Sequence, residues 1–188
     1  HANGLMKQDR NIKQFHRIKE LQKAISVKGR VFQFAGDPDA GKTNFSLFCA
    51  ELWMDKTGGT LLTNMDSVKH GKTVKSFEEL EEKAEELDRW LFIMEDASNH
   101  ISGYSLESHI VEQKLRPFKN ELAKNGGNLM LLGHTGKDVH PDLRRNSYQV
   151  WKPNKKKAEI WETDYKGRKS EKIATYTGVP KSSIRYDD

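Results

Sequence analysis

The chain has 188 residues, 35% of them hydrophobic and 31% charged, a length suited to one domain with a core of its own. Its formal net charge of +5 leaves a polyanionic partner open, and no apolar run is long enough to span a bilayer. A single cysteine, Cys49, excludes a disulfide framework and a Cys-rich metal site; with no apolar leader in residues 1–10, a reducing, cytoplasmic setting is expected.

Residues 1–6 read as an expression scar, so one domain is expected over residues 7–178 with a polar tail at 179–188. From Lys7 to Ala24, Ile12, Phe15, Ile18, Leu21 and Ile25 recur at spacings of three and four among lysines and arginines. This is the pattern of a basic amphipathic helix, its charged face either solvated or turned to DNA. Val31-Phe32-Gln33-Phe34-Ala35 is a short apolar strand, and Gly36-Asp37-Pro38-Asp39-Ala40-Gly41-Lys42-Thr43 follows it in full agreement with the pattern G-x-x-x-x-G-K-[ST]. A helix is expected next, with Phe45, Phe48, Cys49, Leu52 and Trp53 inward and a stop at Gly58-Gly59.

Strand, glycine loop and helix in that order make an anion cradle, because successive N–H groups and the positive end of the helix point at one place. Gly36, Asp39, Ala40, Gly41, Lys42, Thr43 and Asn44 are the candidate nucleotide contacts. Lys42 would reach the β- and γ-phosphates of a bound triphosphate, and the Thr43 hydroxyl would join the shell of a Mg²⁺. The acids inside the loop, Asp37 and Asp39, must point away from the phosphates.

Thr60 to Met65 reads as a second strand, Val68 to Lys75 as an exposed loop, and Ser76 with Glu79 as a capping box opening a helix through Leu87. Trp90-Leu91-Phe92-Ile93-Met94 then runs into Glu95 and Asp96, as a strand buried on both faces would before ending in carboxylates. Those acids suit a metal shell and an attacking water; the run resembles a Walker B element, which implies Glu95 as the metal-side acid and Asp96 as the water-orienting one. A helix from Ser105 to Lys124, kinked or divided at Pro117, leads to a further buried strand, Asn128 to Thr135, with polar residues at its end. Arg144 and Arg145 precede a strand at Tyr148 to Lys152, a basic turn at Lys155-Lys156-Lys157 and a terminal β-hairpin, Ala158 to Thr163 with Ile173 to Thr177.

This order of parts resembles the additional-strand, RecA-like P-loop ATPases, most closely the FtsK/HerA branch with its viral packaging and Zot-like relatives. The resemblance covers roughly residues 29 to 163. It implies an α/β fold, a mostly parallel sheet with helices on both faces, in which the strand ending at His134 and Thr135 lies between the loop strand and the carboxylate strand. It also implies ATP hydrolysis with Mg²⁺, His134 or Thr135 as γ-phosphate sensor, and a homo-oligomeric ring in which Arg144 or Arg145 completes the site of the next subunit. Double-stranded DNA, pulled or packaged, is the implied polymer, with no membrane segment. The sequence departs from the family in carrying Glu before Asp at residues 95 and 96, and in lacking Gln at the sensor position. A small-molecule or nucleoside kinase on the same loop, and a nucleotide- or DNA-binding module without hydrolysis, are the competing readings.

Overall fold

The computed structural model describes residues 17–95, 114, 116–133 and 141–186. In chain order these form α1 (residues 17–25), β1 (Val31–Gly36), α2 (Lys42–Thr57), β2 (Thr60–Thr63), β3 (Lys72–Thr73), α3 (Phe77–Glu86), β4 (Trp90–Glu95), α4 (residues 116–119), β5 (Gly127–Leu132), α5 (Pro141–Arg144), β6 (Tyr148–Asn154), β7 (Lys157–Thr163) and β8 (Lys169–Thr177). The eight strands make one sheet in the order β3-β2-β4-β5-β1-β6-β7-β8. It is parallel from β3 to β6 and antiparallel from β6 to β8. The α/β fold and the mostly parallel sheet are those the sequence leads one to expect, and β5 does lie between β1 and β4.

The central strands owe their position to sequence. Every residue of β1 and of β5 is buried, as strands covered on both faces by helices must be. Alternate side chains divide between two cores: Phe32, Phe34, Leu91, Ile93, Met130 and Leu132 face α1 and α2, while Val31, Trp90, Phe92, Leu129 and Leu131 face α3, Phe118 and Leu122. On α2, Phe45, Cys49 and Trp53 repeat every four residues and meet the first core. The helix ends at Gly58, in the left-handed region at φ 67°, whose N–H bonds to the Met54 carbonyl at 2.8 Å. At the start of α3 the capping box forms: Ser76 Oγ accepts from the Glu79 N–H at 3.2 Å, and Glu79 Oε2 accepts from the Lys75 N–H at 3.0 Å.

Three expectations are corrected. The segment from Val68 to Lys75 is not simply an exposed loop: Lys72 and Thr73 add β3 to the sheet edge beside β2, and Val68 and Val74 are buried. A strand of two residues has no periodicity to display, so the sequence does not announce it. The long helix ending at Lys124 gives way to turns after residue 119, two residues beyond Pro117, although Leu122 remains buried. Of the polar tail expected at 179–188, residues 179–186 are described, and they pack against α2 and the first core. Asn44 holds them at both ends of a short span, donating from Nδ2 to the Pro180 carbonyl at 3.0 Å and accepting at Oδ1 from the Ser182 N–H at 2.7 Å. Glu51 Oε1 accepts from Ser182 Oγ, Ser183 Oγ and the Ile184 N–H at 2.8, 2.5 and 2.9 Å. Ile184 enters the first core, and Tyr186 bridges Val68.

One carboxylate therefore gathers three donors of the returning segment. Burial works against the Glu51 charge, but the bonds from Ser183, Ser182 and Ile184 outweigh it and hold the pKa below its ordinary 4.5. A carboxylate with a lowered folded pKa contributes stability that is complete above 4.5 and fades as pH falls through the folded value. Amide protection at residues 182–184, relative to the intrinsic exchange rate at each pH, is expected to fall in that acid range ahead of protection in β1 and β5. Glu51→Ala should bring the same loss of protection at neutral pH and cost about 1–3 kcal/mol in denaturant unfolding.

Candidate nucleotide-binding site

The loop between β1 and α2 turns tightly. The Ala40 N–H bonds to the Asp37 carbonyl at 3.1 Å, and Asp39 and Gly41 are both left-handed, at φ 64° and 83°. Gly41 caps α2 with its carbonyl accepting from the Phe45 N–H at 3.0 Å, which leaves the first N–H groups of the helix directed into the loop. Lys42 Nζ spans the loop to the Gly36 carbonyl at 2.7 Å. Asp37, Pro38 and Asp39 are exposed, so the two acids stand off the loop as an anion site requires, while Ala40 is buried beneath it. Thr43 and Asn44 lie half-buried in the first turn of α2.

Glu95 closes β4 at the same end of the sheet. It pairs with Leu132 of β5, and Leu132 pairs with Phe34 of β1, so the carboxylate strand and the loop strand finish at nearly one level. Two strand spacings, about 10 Å, separate them. Asn64, just past β2, fixes the Glu95 peptide from both sides: its Oδ1 accepts the Glu95 N–H at 2.9 Å and its Nδ2 donates to the Glu95 carbonyl at 3.3 Å. Nothing in the sequence marks Asn64 for this part, since the clamp depends on β2 lying next to β4. Asp96, His134 and Thr135 lie outside the described residues. Gly133, immediately before His134, donates its N–H to the Phe34 carbonyl at 2.9 Å, so β5 follows β1 to its last residues.

The arginine pair stands elsewhere. Tyr148 pairs with Phe32 and Lys152 with Gly36, so α5, ahead of β6, lies at the opposite end of the strands from the loop. Roughly 13 Å of strand separates these two levels. Arg144 turns into the fold and donates from Nη1 to the Gly167 carbonyl at 3.2 Å. Arg145 pairs with Asp142, as does Arg116, whose Nε donates at 2.7 Å. Lys119 lies beside them, its ammonium bonded to the Arg145 carbonyl at 2.6 Å and Ser147 Oγ at 2.9 Å. Burial first, and Arg145 second, push its pKa down to about 8. Arg116, Lys119, Asp142 and Arg145 line a cavity of about 590 Å³.

A second lysine, not singled out by the sequence, lies against the loop. Lys152 of β6 is fully buried; its Nζ donates to the Lys155 carbonyl at 3.2 Å and sits 5.4 Å from the centre of the Phe45 ring. A Cβ on Gly41 would come within 3.5 Å of Lys155 Cα and 3.8 Å of Lys152 Cε, so the β6–β7 turn backs the loop directly. No group of three or more His, Cys, Asp or Glu suited to a metal occurs among the described residues, and none of the described helices is long and apolar enough to cross a membrane.

No protein-family model matches the chain, and no curated protein matches it in sequence. Solved structures do match in fold. One is the genome packaging NTPase B204 from Sulfolobus turreted icosahedral virus 2 in complex with ATPγS, with a TM-score of 0.55 and 9% identity, covering 81% of this chain and 98% of that one. The same NTPase in complex with AMP matches with a TM-score of 0.52 and 10% identity, covering 80% and 98%. The chain therefore shares the fold of a viral packaging NTPase.

Burial pushes Lys152 down from the ordinary 10.5 to about 8, with Cys49 opposing. For a base with a lowered folded pKa, the unfolded chain holds more protons between these values, so unfolding free energy rises with pH across about 8 to 10.5. Denaturant titrations are expected to show that rise in the native protein, at no more than about 1.4 kcal/mol per pH unit from this group. Lys119, also held at about 8, adds a rise over the same window, so Lys152→Met should make the profile shallower without abolishing it and leave the protein at least as stable at pH 7.

Proposed function

We propose that the chain is a P-loop ATPase of the FtsK/HerA type, working as a homo-oligomeric ring that packages or translocates double-stranded DNA. The observation that carries this reading is the level match of two strand ends. The Gly36–Thr43 loop and the Glu95 carboxylate finish side by side with β5 between them. The fold shared with a viral genome packaging NTPase supports the DNA-packaging half of the reading.

Lys42 and the loop N–H groups would hold the β- and γ-phosphates of ATP, losing the present Lys42 bond to the Gly36 carbonyl as the phosphates arrive. Thr43 and Glu95 offer the hard oxygen donors that suit Mg²⁺, which when bound neutralises charge developing on the phosphates. The nucleotide's own oxygens would complete that shell. Asp96 would orient the attacking water, and His134 or Thr135 would sense the γ-phosphate. Arg145 is too far along the sheet to reach its own loop, so its role would be in trans, offered to the next subunit in a head-to-tail ring. Arg144 is bonded to Gly167 and is the weaker of the two candidates.

Purified protein is expected to release phosphate from ATP, faster with double-stranded DNA, and to gain mass as a ring when ATP is bound. Transfer to a small acceptor with no DNA effect would instead identify a kinase. Lys42→Ala should abolish ATP binding. Glu95→Gln and Asp96→Asn should each lower turnover about 10²–10³-fold with ATP still bound. Arg145→Ala should lower turnover about 10³-fold or more; mixing it with Lys42→Ala should restore part of the activity, and an inert mixture would argue against a trans arginine.

A further inference from the structure

A nucleotide has two ends, and the strand order assigns a side to each. The γ-phosphate faces the carboxylate, and β5 and β4 lie on one side of β1. The ribose and base must then leave the loop on the other side, toward β6, β7 and β8. Three features converge there. Asn44, next after Thr43, grips Pro180 and Ser182. The Val179 N–H bonds to the Lys156 carbonyl at 3.1 Å, tying the segment after β8 to the β6–β7 turn. That turn lies against Gly41. The stretch from Tyr176 to Pro180 is thus fastened to the phosphate loop from two directions.

Between this stretch, α1 and α2 is a cavity of about 400 Å³ lined by Ile18, Phe45, Phe48, Tyr176, Val179 and Pro180 among others. Its size falls within the roughly 300–1,000 Å³ range of small-molecule sites. Phe45 and Phe48 stack at 22° with ring centres 6.4 Å apart, and the Tyr176 ring lies 6.4 Å from Phe45, so the walls are aromatic. Phe48 stands one helical turn beyond Asn44, and Pro180 belongs both to the Asn44 latch and to the cavity wall. Arg17 stands in the same wall, and aromatic rings beside a planar guanidinium suit a flat heterocycle better than a flexible group.

We infer that this cavity receives the purine base of the nucleotide whose phosphates lie on Gly36–Thr43, and that the Asn44 latch sets the position of its Val179–Pro180 wall. The inference rests on the proposed phosphate role of that loop, so its test separates base from phosphate by comparing ATP with inorganic tripolyphosphate. In equilibrium competition, Phe48→Ala is expected to weaken ATP about tenfold, in the range for loss of one stacked aromatic, and to leave tripolyphosphate within twofold. Val179→Trp, which fills the cavity without removing a core side chain, should do the same. Photolabelling with 8-azido-ATP should mark the peptide spanning residues 176–180. If both variants leave ATP and tripolyphosphate affinities in their native ratio, or if the label falls on the α3 side of the sheet, the base lies elsewhere and the inference fails. Lys42→Ala reports on the loop separately: it should weaken both ligands, and if it weakens neither, the phosphate assignment falls and the base site with it.

Discussion

The pairing of β1 with β6 at Gly36 and Lys152 is the constraint on which the rest of the site depends. A Cβ on Gly36 would lie 2.5 Å from the Lys152 carbonyl, so only glycine lets the two backbones close at that point. From Gly36 the chain must leave the sheet at once, and it does so through the turn that Asp39 and Gly41 complete with left-handed backbones. The same pairing brings Lys152 beneath the first turn of α2 and the β6–β7 turn against Gly41. The Gly36–Thr43 loop is therefore held from behind by packed backbone. Such backing keeps its N–H groups aimed without a ligand present.

A second consequence concerns α2, which serves several elements at once. Its first turn forms the loop's floor, and its inward face fills the core with Phe45, Cys49 and Trp53. Its outer residues Asn44 and Glu51 collect the segment from Pro180 to Ile184. A change in the loop would act on that segment through a single rigid helix, and its nearest point of attachment is the residue immediately after Thr43.

The two ends of the parallel sheet carry different chemistry. At the C-terminal ends of β1 and β4 stand the loop and Glu95; at the start of β6 stand Arg145, Arg116 and Lys119 around Asp142. Asp142 holds both guanidinium groups, which limits their freedom without removing their remaining donors. Arg116 has no sequence mark of its own beside the arginine pair. It joins Arg145 only because α4 and α5 meet under the sheet edge.

By itself the sequence determined the parts that rest on short-range rules. A short, mainly apolar run bounded by turn residues reads as a strand covered on both faces, and β1, β4 and β5 are such strands. The glycine-lysine-threonine loop at the end of such a run, the four-residue repeat of α2 and the Ser76–Glu79 cap likewise follow from neighbours along the chain. What the tertiary structure alone decided is everything that joins distant segments through polar groups. Asn64 on Glu95, Asn44 and Glu51 on residues 180–184, the burial of Lys152 and the two-residue strand β3 leave no periodic trace. Each is a hydrogen bond or a close approach that depends on which elements the sheet makes adjacent. Apolar patterning shows that a face is buried, but not what lies against it.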